Sequence, residues 1–378
     1  MTSDIAPPTG DTNGEASAMQ QHDPAPAVSP EVPPEVAAAA AAAGGPVTGT
    51  RPPLWQLAAR WETGLVVVLI AALLFGSSES ATFTTKTTLF YAGINAGYIA
   101  LMALPMMLII ITAEIDLSVA STLGMSGALL GDLWHHGWPL SGALLVALAA
   151  GVAGGMLNGV LVAKAGLPSI AVTIGTLTLF RGVAEILLGS QTIPGIGDRS
   201  FPSWFTKVGV VPVPGTQLSY TTVFFILLAI ICGVVLHATP LGRSLYAIGL
   251  QPEAARFAGL RVARVKFWLY VFSGFMCALA GILLTAQNSS VSYNAGYGLE
   301  LNVVAIVLLG GVSIFGGRGT VIGVVLAAAI VAALQMALTQ MTIDPNVQEI
   351  VIGGLLLISV VIPNLSRIRL LARRLRHT

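Results

Sequence analysis

Long apolar runs separated by short polar stretches dominate the chain from residue 62 onward. A helix that crosses about 30 Å of hydrocarbon needs about 20 predominantly apolar residues. The segments that approach this pattern are 62–76, 90–112, 117–133, 140–163, 168–189, 220–238, 267–286, 300–315, 319–341 and 348–363. The third and the eighth are short and rich in glycine, which is typical of re-entrant or broken helices. The predicted fold class is therefore all-α, a polytopic bundle of transmembrane helices with about ten spans, and no fewer than eight.

A polar island interrupts this pattern between the apolar runs 221–236 and 267–286. It covers residues 249–266, with the sequence GLQPEAARFAGLRVARVK. Five of the chain's eighteen basic residues lie here or just upstream: Arg243, Arg256, Arg261, Arg264 and Lys266. Because apolar runs flank the island on both sides, it must lie at one face of the membrane. We expect a short amphipathic helix there, at which a cytoplasmic partner binds.

The distribution of basic residues predicts the orientation. With the N-terminus inside and ten crossings, fourteen Lys and Arg residues fall on the inner side. Lys86, Arg199 and Lys207 fall outside, and Arg181 lies within a span. Cytoplasmic loops of membrane proteins carry such an excess of positive charge. We therefore expect a multi-pass membrane protein with both termini in the cytoplasm.

Composition separates the chain into three parts. With 55% hydrophobic and 9% charged residues, it differs from a soluble domain, in which about 25% of residues are charged. The first fifty residues instead are rich in Pro, Ala and acids and lack Lys and Arg, which predicts a disordered segment and excludes a signal peptide. The predicted parts are a cytoplasmic tail at 1–53, a transmembrane domain at 54–366 and a basic cytoplasmic tail at 367–378, which binds lipid headgroups.

The net charge of +1 predicts no nucleic-acid partner. The two cysteines, Cys232 and Cys277, both lie in apolar runs. They are interpreted as two buried thiols, with a disulfide between them as the alternative. Neither cysteine supports a metal site, and no cofactor is expected.

Ionisable residues within the apolar runs need a partner or a function, because burying a charge in the membrane is costly. Arg181 and Glu185 are four residues apart on one predicted helix, so an ion pair is expected, with a role along a substrate path as the alternative. Glu114 and Asp116 lie where one span ends. With Ser118, Asp116 is predicted to cap the next helix; acid–base chemistry or a proton relay is the alternative.

Single polar residues also occur near span ends: Asn95, Asn158, Glu300 and Asn302. Hydrogen bonds between helices explain each of them, and contact with a sugar is the alternative. Two outer loops are expected to meet an arriving solute. The longer, 190–219, is kept irregular by four prolines, and the other covers 287–299.

The glycine-rich segment 309–320 could suggest a phosphate-binding loop. Such a loop needs Lys followed by Ser or Thr after its last glycine, and this segment lacks that pair. The segment is instead predicted to be a tight turn between closely packed helices. No phosphate-binding motif of this kind occurs elsewhere in the sequence, so the chain is not expected to hydrolyse ATP by itself and is not an enzyme.

Three sequence motifs follow one another along the chain. The first is IDLSVAS at 115–121, which contains Ile115, Asp116 and Ser118. The second is the polar island, with Glu253, Ala254, Ala255 and Gly259. The third is LLGGVSIFGGRGT at 308–320, whose glycines are Gly310, Gly311, Gly316, Gly317 and Gly319. In this order, the motifs resemble those of the permease subunits of bacterial ATP-binding-cassette (ABC) importers for monosaccharides, the ribose, xylose and rhamnose group, over residues 62–365.

The resemblance implies a location in the bacterial inner membrane, a set of partners and a mechanism. A periplasmic binding protein would deliver the sugar to the outer loops, and a second permease chain, identical or paralogous, would complete the path. Two cytoplasmic ATPase subunits would bind the island through Glu253, Ala254, Ala255, Arg256, Gly259 and Arg261. Phe257 and Leu260 would supply an apolar anchor for that contact.

Several alternatives stay open at this point. Within the importer class, the solute is a pentose, a hexose or a 6-deoxyhexose such as rhamnose, with autoinducer-2 or a branched-chain amino acid as alternatives. A secondary transporter would use Glu114, Asp116, Arg181 and Glu185 as an ion or proton relay. A structural or signalling membrane protein would use the island to bind a regulator.

Overall fold

The computed structural model describes residues 61–195, 198–358 and 361. Most of them are helical, and the predicted all-α membrane bundle is confirmed. The predicted tails at 1–53 and 367–378 lie outside the described residues, as do Arg51, Arg60 and the C-terminal arginine cluster.

The first half of the bundle consists of five helices that run alternately up and down. They are α1 (Trp61–Glu79), α2 (Lys86–Ile111), α3 (Val119–His135), α4 (Leu140–Gly159, continued as one π-helical turn, Val160–Lys164) and α5 (Ser169–Leu188). All five overlap the predicted spans 62–76, 90–112, 117–133, 140–163 and 168–189.

The second half alternates long helices with short ones. Its elements are β1 (Thr192–Ile193), α6 (Ser203–Val210), α7 (Tyr220–Ala238), α8 (Pro240–Leu250), α9 (Pro252–Phe257), α10 (Val262–Asn288), β2 (Val291–Ser292), α11 (Leu299–Leu309), α12 (Val321–Gln340) and α13 (Pro345–Ile358). The two strands form one antiparallel pair, in which Thr192 lies opposite Ser292.

Seven of the helices in the described part of the chain are long and apolar enough to cross a membrane. The helices α3, α11 and α13 are shorter, as expected for α3 and α11. Two predictions need correction. The eighth segment ends at Leu309 instead of 315, because Gly310 and Gly311 start a turn. The outer loop 190–219 is not irregular throughout, since it contains β1 and α6.

The core is built around α2 and α10. From Ile99 to Ile111, the α2 side chains are almost completely buried on every side of the helix. A helix that is apolar all round belongs in the interior of a bundle. The helix α10 packs against α2, α3, α4 and α6, whereas α1, α5 and α7 leave most of their apolar side chains exposed. The helices α1, α5 and α7 therefore form the outer surface, where lipid replaces water.

The two ends of the bundle differ in charge. At one end lie the start of α1, the end of α2, the helices α8 and α9, and the turn between α11 and α12. This end, called the basic end here, carries the exposed arginines Arg243, Arg256, Arg261, Arg264 and Arg318. At the opposite end, the bases are Lys86, Arg199 and Lys207.

Glycines allow α4 and α10 to pack with their backbones in contact. A Cβ atom added to Gly274 would lie 2.2 Å from the carbonyl oxygen of Gly151, and one added to Gly155 would lie 2.3 Å from that of Tyr270. Small residues at helix interfaces permit this approach in membranes, where packing supplies much of the association energy. The contact between these two helices therefore has no room for a methyl group.

The substitution Gly274→Ala is expected to lower the unfolding temperature of the purified protein. The added methyl group must separate the two backbones, which costs about 1–3 kcal/mol as overpacking. Gly175→Ala is the matched control, because nothing lies within 4 Å of the new Cβ on α5. Thermal unfolding in detergent measures both variants, and equal unfolding temperatures would contradict the proposed packing.

Candidate functional site

The polar island folds into two short helices at the basic end. The helix α8 ends at Leu250, Gln251 breaks the helical path, and α9 begins at Pro252. Pro at the first position of a helix is favourable because its missing N–H would have no partner there. The predicted short amphipathic helix is therefore present, and it is six residues long.

The inner face of α9 packs on its neighbours through Ala255, which is buried with Ile248 and Val262. Leu260 is half-buried in the same cluster. Part of the Leu260 side chain thus supports α9 from within, and its role as an anchor for a partner stays a prediction.

Gly259 ends the helix α9. Its φ angle is +87°, a conformation that a side chain disfavours. The Leu260 N–H donates to the Ala255 carbonyl, and the Gly259 N–H donates to the Arg256 carbonyl. This pair of bonds is the Schellman motif, which satisfies the last carbonyls of a helix. Gly259 thus has a structural role, which is to turn the chain from α9 into α10.

Among the described residues, none covers the outer face of α9. Phe257 is 92% exposed. The other exposed residues predicted to bind a partner are Glu253, Ala254, Arg256 and Arg261. An apolar ring this exposed, beside charged residues, is typical of a protein–protein contact.

The segment 310–320 joins α11 to α12 as a tight turn, as predicted. Gly311, Gly316 and Gly317 have positive φ angles. A Cβ added to Gly310 would lie 2.7 Å from the backbone nitrogen of Val324. Gly319 leaves its carbonyl free to accept a hydrogen bond from the Tyr246 hydroxyl of α8, at 2.7 Å. Burial raises the pKa of Tyr246, so the hydroxyl keeps the proton that it donates.

This glycine turn also contacts the end of α2. The Gly317 N–H donates to the Ile111 carbonyl at 2.9 Å. A Cβ added to Gly249 would lie 1.8 Å from the same oxygen. The ends of α2 and α8 and the glycine turn are therefore in contact backbone to backbone.

Asp116 is buried in the segment that joins α2 to α3. Its Oδ1 atom accepts hydrogen bonds from the Ser118 N–H and from the Ser118 hydroxyl, at 3.1 and 2.6 Å. The predicted capping is confirmed only in part, because Asp116 satisfies one backbone N–H, that of Ser118 just before α3. Ser118 is the N-cap residue of α3, but its side chain makes no capping hydrogen bond.

The sequence did not reveal that the segment 115–118, around Asp116, binds three further helices, α4, α5 and α10. The Ser273 hydroxyl of α10 donates to its Oδ2 atom at 3.1 Å. The Asn158 amide of α4 donates to the Ser118 hydroxyl at 2.8 Å, which confirms a helix-to-helix bond for Asn158. Ile115 is tied to α5, since its N–H donates to the Ser169 hydroxyl. These partners lie 40 to 157 positions away in the sequence, and no local pattern indicates them.

Glu114 forms an ion pair with Lys266 in the second turn of α10. Both side chains are largely buried, with 18% and 12% of their area exposed. The sequence offered no basic partner near Glu114, because the lysine is 152 residues away. The pair joins the first part of α10, just after α9, to the segment that precedes α3.

Arg181 does not pair with Glu185, and that prediction is wrong. Its Nη1 atom donates to the carbonyls of Tyr293 and Ala295, at 3.2 and 2.9 Å. These carbonyls belong to the segment after β2, where Gly296 lies against the backbone of Ala120 on α3. The segment 293–298 therefore packs along α3 toward the inside of the bundle, instead of forming a free outer loop.

A cavity of about 420 Å³ lies beside this segment. Polar lining comes from amide, hydroxyl and phenol side chains: Tyr98, Thr285, Asn288, Ser290, Ser292, Asn294 and Tyr297. No Asp, Glu, Lys or Arg lines the cavity among the described residues. A second cavity of about 790 Å³, which shares Tyr98 and Leu299 with the first, contains Asn95 and Gln335. Asn95 accepts a hydrogen bond from Gln287 on α10, so its predicted helix-to-helix bond is confirmed.

Both cysteines are buried and free, which confirms the interpretation as two thiols. In the described ranges, no group of three or more His, Cys, Asp and Glu side chains is placed to hold a metal ion.

Comparison with known proteins identifies the family of this chain. Residues 88–360 match the family described as "Branched-chain amino acid transport system / permease component". The autoinducer 2 import system permease protein LsrD of Klebsiella pneumoniae is 32% identical over 317 residues, which cover 82% of this chain and 93% of the relative. The autoinducer 2 import system permease protein LsrC of Salmonella choleraesuis is 33% identical over 80% of this chain and 84% of the relative. No solved structure matches the chain.

The family match covers most of the described helices, from α2 to α13. The resemblance to importer permeases is thereby confirmed at the level of the family. Such permeases are transport components and not enzymes, and the apolar helices indicate a multi-pass protein of the inner membrane. The chain belongs to this family of ABC importer permeases.

Proposed function

We propose that this chain is the membrane-spanning permease subunit of an ATP-driven importer for a monosaccharide or a solute of similar chemistry. It works with cytoplasmic ATPase subunits, a second permease chain and an external binding protein. The proposal rests on the helix α9, which buries one face against the bundle and exposes the other face, with Phe257, to solvent.

The basic end of the bundle is the cytoplasmic end in this proposal. Five exposed arginines of the described chain lie at this end. The opposite end has three basic residues, Lys86, Arg199 and Lys207. The excess of positive charge on the cytoplasmic side of membrane proteins supports this orientation. The α9 surface then faces the compartment that contains ATP.

A displacement of α9 can reach the interior of the bundle through only a few contacts. Gly259 and Leu260 turn the chain directly into α10, whose second turn contains Lys266. The pair between Lys266 and Glu114 and the bond between Ser273 and Asp116 both join α10 to the segment before α3. An ATPase that moves α9 would therefore shift α10 and, through these two contacts, the start of α3.

The chemistry of the smaller cavity supports an uncharged, hydroxyl-rich solute. Amides and hydroxyls both donate and accept hydrogen bonds, and aromatic rings contact the apolar face of a sugar ring. A zwitterionic amino acid would need charged partners for its carboxylate and ammonium groups, and the described lining supplies none. A monosaccharide is favoured over a branched-chain amino acid for this reason. The relatives import autoinducer-2, which is kept as a second candidate solute.

The contacts of the buried charges disfavour a proton-coupled transporter. Glu114 is paired with Lys266, and Asp116 accepts bonds from two serines. Arg181 binds backbone carbonyls. These groups act as separate structural contacts instead of a continuous relay.

The substitution Phe257→Ala is expected to lower the affinity for the ATPase subunits by about tenfold or more, because exposed aromatic anchors often carry much of the binding energy. Glu253→Lys is expected to abolish ATP-dependent uptake while membrane insertion stays intact. Phe224→Ala on α7, 41% exposed, is the matched control. Copurification of the complex and uptake in proteoliposomes measure these effects, and normal uptake in both variants would refute the assignment of α9.

Breaking the pair between Glu114 and Lys266 is expected to separate ATP hydrolysis from transport. Glu114→Gln leaves a largely buried lysine without its partner. We expect the amount of solute moved per ATP hydrolysed to fall on the order of tenfold, because the pair no longer holds α10 to the segment before α3. The exchange Glu114→Lys with Lys266→Glu should restore part of this ratio. An unchanged ratio in Glu114→Gln would show that the pair does not transmit movement.

The substitution Asn288→Leu is expected to raise the KM for uptake by about tenfold with little change in ATPase binding, because it removes hydrogen-bonding groups from the cavity. In competition assays, pentoses, hexoses, rhamnose and autoinducer-2 are to be compared with leucine. We expect one of the uncharged solutes to compete, and leucine to have no effect. Competition by leucine alone would instead indicate an amino-acid importer.

A further inference from the structure

The glycine turn presents an aromatic side chain at its tip. The Ser313 N–H donates to the Arg318 carbonyl at 3.0 Å, and the Gly316 N–H donates to the Ser313 carbonyl at 2.9 Å. Between them, Phe315 is 72% exposed and Ile314 is 37% exposed. Two neighbouring apolar side chains thus stand outside the packed core at the basic end.

The turn is fixed at both ends, so the exposure of its tip does not come from a loose segment. Trp61 donates through Nε1 to the Leu309 carbonyl at 2.8 Å, just before the turn. Val312 is buried, and the Gly317 N–H is bound to the Ile111 carbonyl. The backbone therefore holds Phe315 in an outward position, at the cost of exposing its ring to water.

The turn lies next to the helices that carry the α9 surface. A Cβ added to Gly317 would lie 2.6 Å from the Cδ2 atom of Leu250, the last residue of α8, which is itself 68% exposed. The Tyr246 hydroxyl joins α8 to Gly319 on the other side of the tip. Leu250 and Phe315 are thus exposed at the same end of the bundle as Phe257 of α9.

Arginines accompany this apolar surface. Arg318 follows the tip within the turn, and Arg256, Arg261 and Arg264 lie on α9 and at the start of α10. Among the described acids at this end, Glu114 is paired with Lys266 and Glu62 accepts a hydrogen bond from Thr320, so Glu253 is the exposed acid. Such a surface fits a protein partner whose apolar groove is bordered by carboxylates.

We propose that the glycine turn is a second docking element for the ATPase subunit, with Phe315 as its apolar anchor beside Phe257. This inference rests on the proposed function, because it assumes that the α9 surface binds the ATPase. It adds that the contact spans two separate parts of the chain, α9 and the turn before α12. Movement of the ATPase would then act on α10 and on α12 together.

The test compares Phe315→Ala, Phe257→Ala and the control Phe224→Ala in the complete importer complex. We expect Phe315→Ala to lower the amount of copurified ATPase by about tenfold at limiting concentration, as a central aromatic contact would. Phe315→Tyr keeps the ring and should retain at least half of the binding. Because Phe315 is exposed, none of these changes opens a cavity, and thermal unfolding checks that the fold is unaltered.

A photocrosslinking arm identifies what lies against the turn. Benzoylphenylalanine placed at position 315 should give an adduct with the ATPase subunit, detected by mass spectrometry, and the same probe at position 224 should not. Adducts with lipid alone at position 315 would mean that the turn lies among headgroups, and the inference would fail. Loss of binding in Phe257→Ala with full binding in Phe315→Ala would overturn this inference alone, whereas full binding in both would overturn the proposed function as well.

Discussion

The carbonyl oxygen of Ile111, at the end of α2, is the point at which the basic end of the molecule is assembled. It accepts a hydrogen bond from the Gly317 N–H, and Gly249 packs against it with no room for a side chain. Ile111 is fully buried, and a buried backbone carbonyl needs a hydrogen-bond partner within the protein because water cannot reach it. Two segments far apart in sequence, the end of α8 and the glycine turn, are thereby fixed to the buried helix α2. The surface that carries Phe257 and Phe315 depends on this rigid support.

From that support, the contacts continue inward along α10. Lys266 binds Glu114 near the basic end, and Ser273 binds Asp116 two helical turns further along. The first contact is an ion pair and the second a hydrogen bond to a buried carboxylate, so both are specific in geometry and costly to leave without partners. The non-helical segment between α2 and α3 is therefore held by α10, which is also the helix that follows α9 in the chain. A bundle of this kind can transmit a movement without a soluble domain of its own.

Local sequence patterns were sufficient for most of the fold. The apolar runs indicated ten helices, and the polar island indicated α9. The glycine-rich segment 309–320 lacks the Lys-Ser or Lys-Thr pair of a phosphate-binding loop, which indicated a turn. Errors occurred where a partner lies far away in sequence. Arg181 was paired with Glu185 because they are neighbours on one helix, yet its guanidinium binds the carbonyls of Tyr293 and Ala295.

The sequence by itself determined the class of the protein, since hydrophobic length and the placement of arginines depend only on composition along the chain. It also indicated the order of the three motifs, which identifies the importer permeases. Only the tertiary structure decided which charges meet, because Glu114 and Lys266 are separated by 152 positions. The tertiary structure also decided that the segment 293–298 packs along α3. The described residues that line the cavity beside this segment include no Asp, Glu, Lys or Arg. Close packing between distant helices sets these contacts, and no local pattern records it.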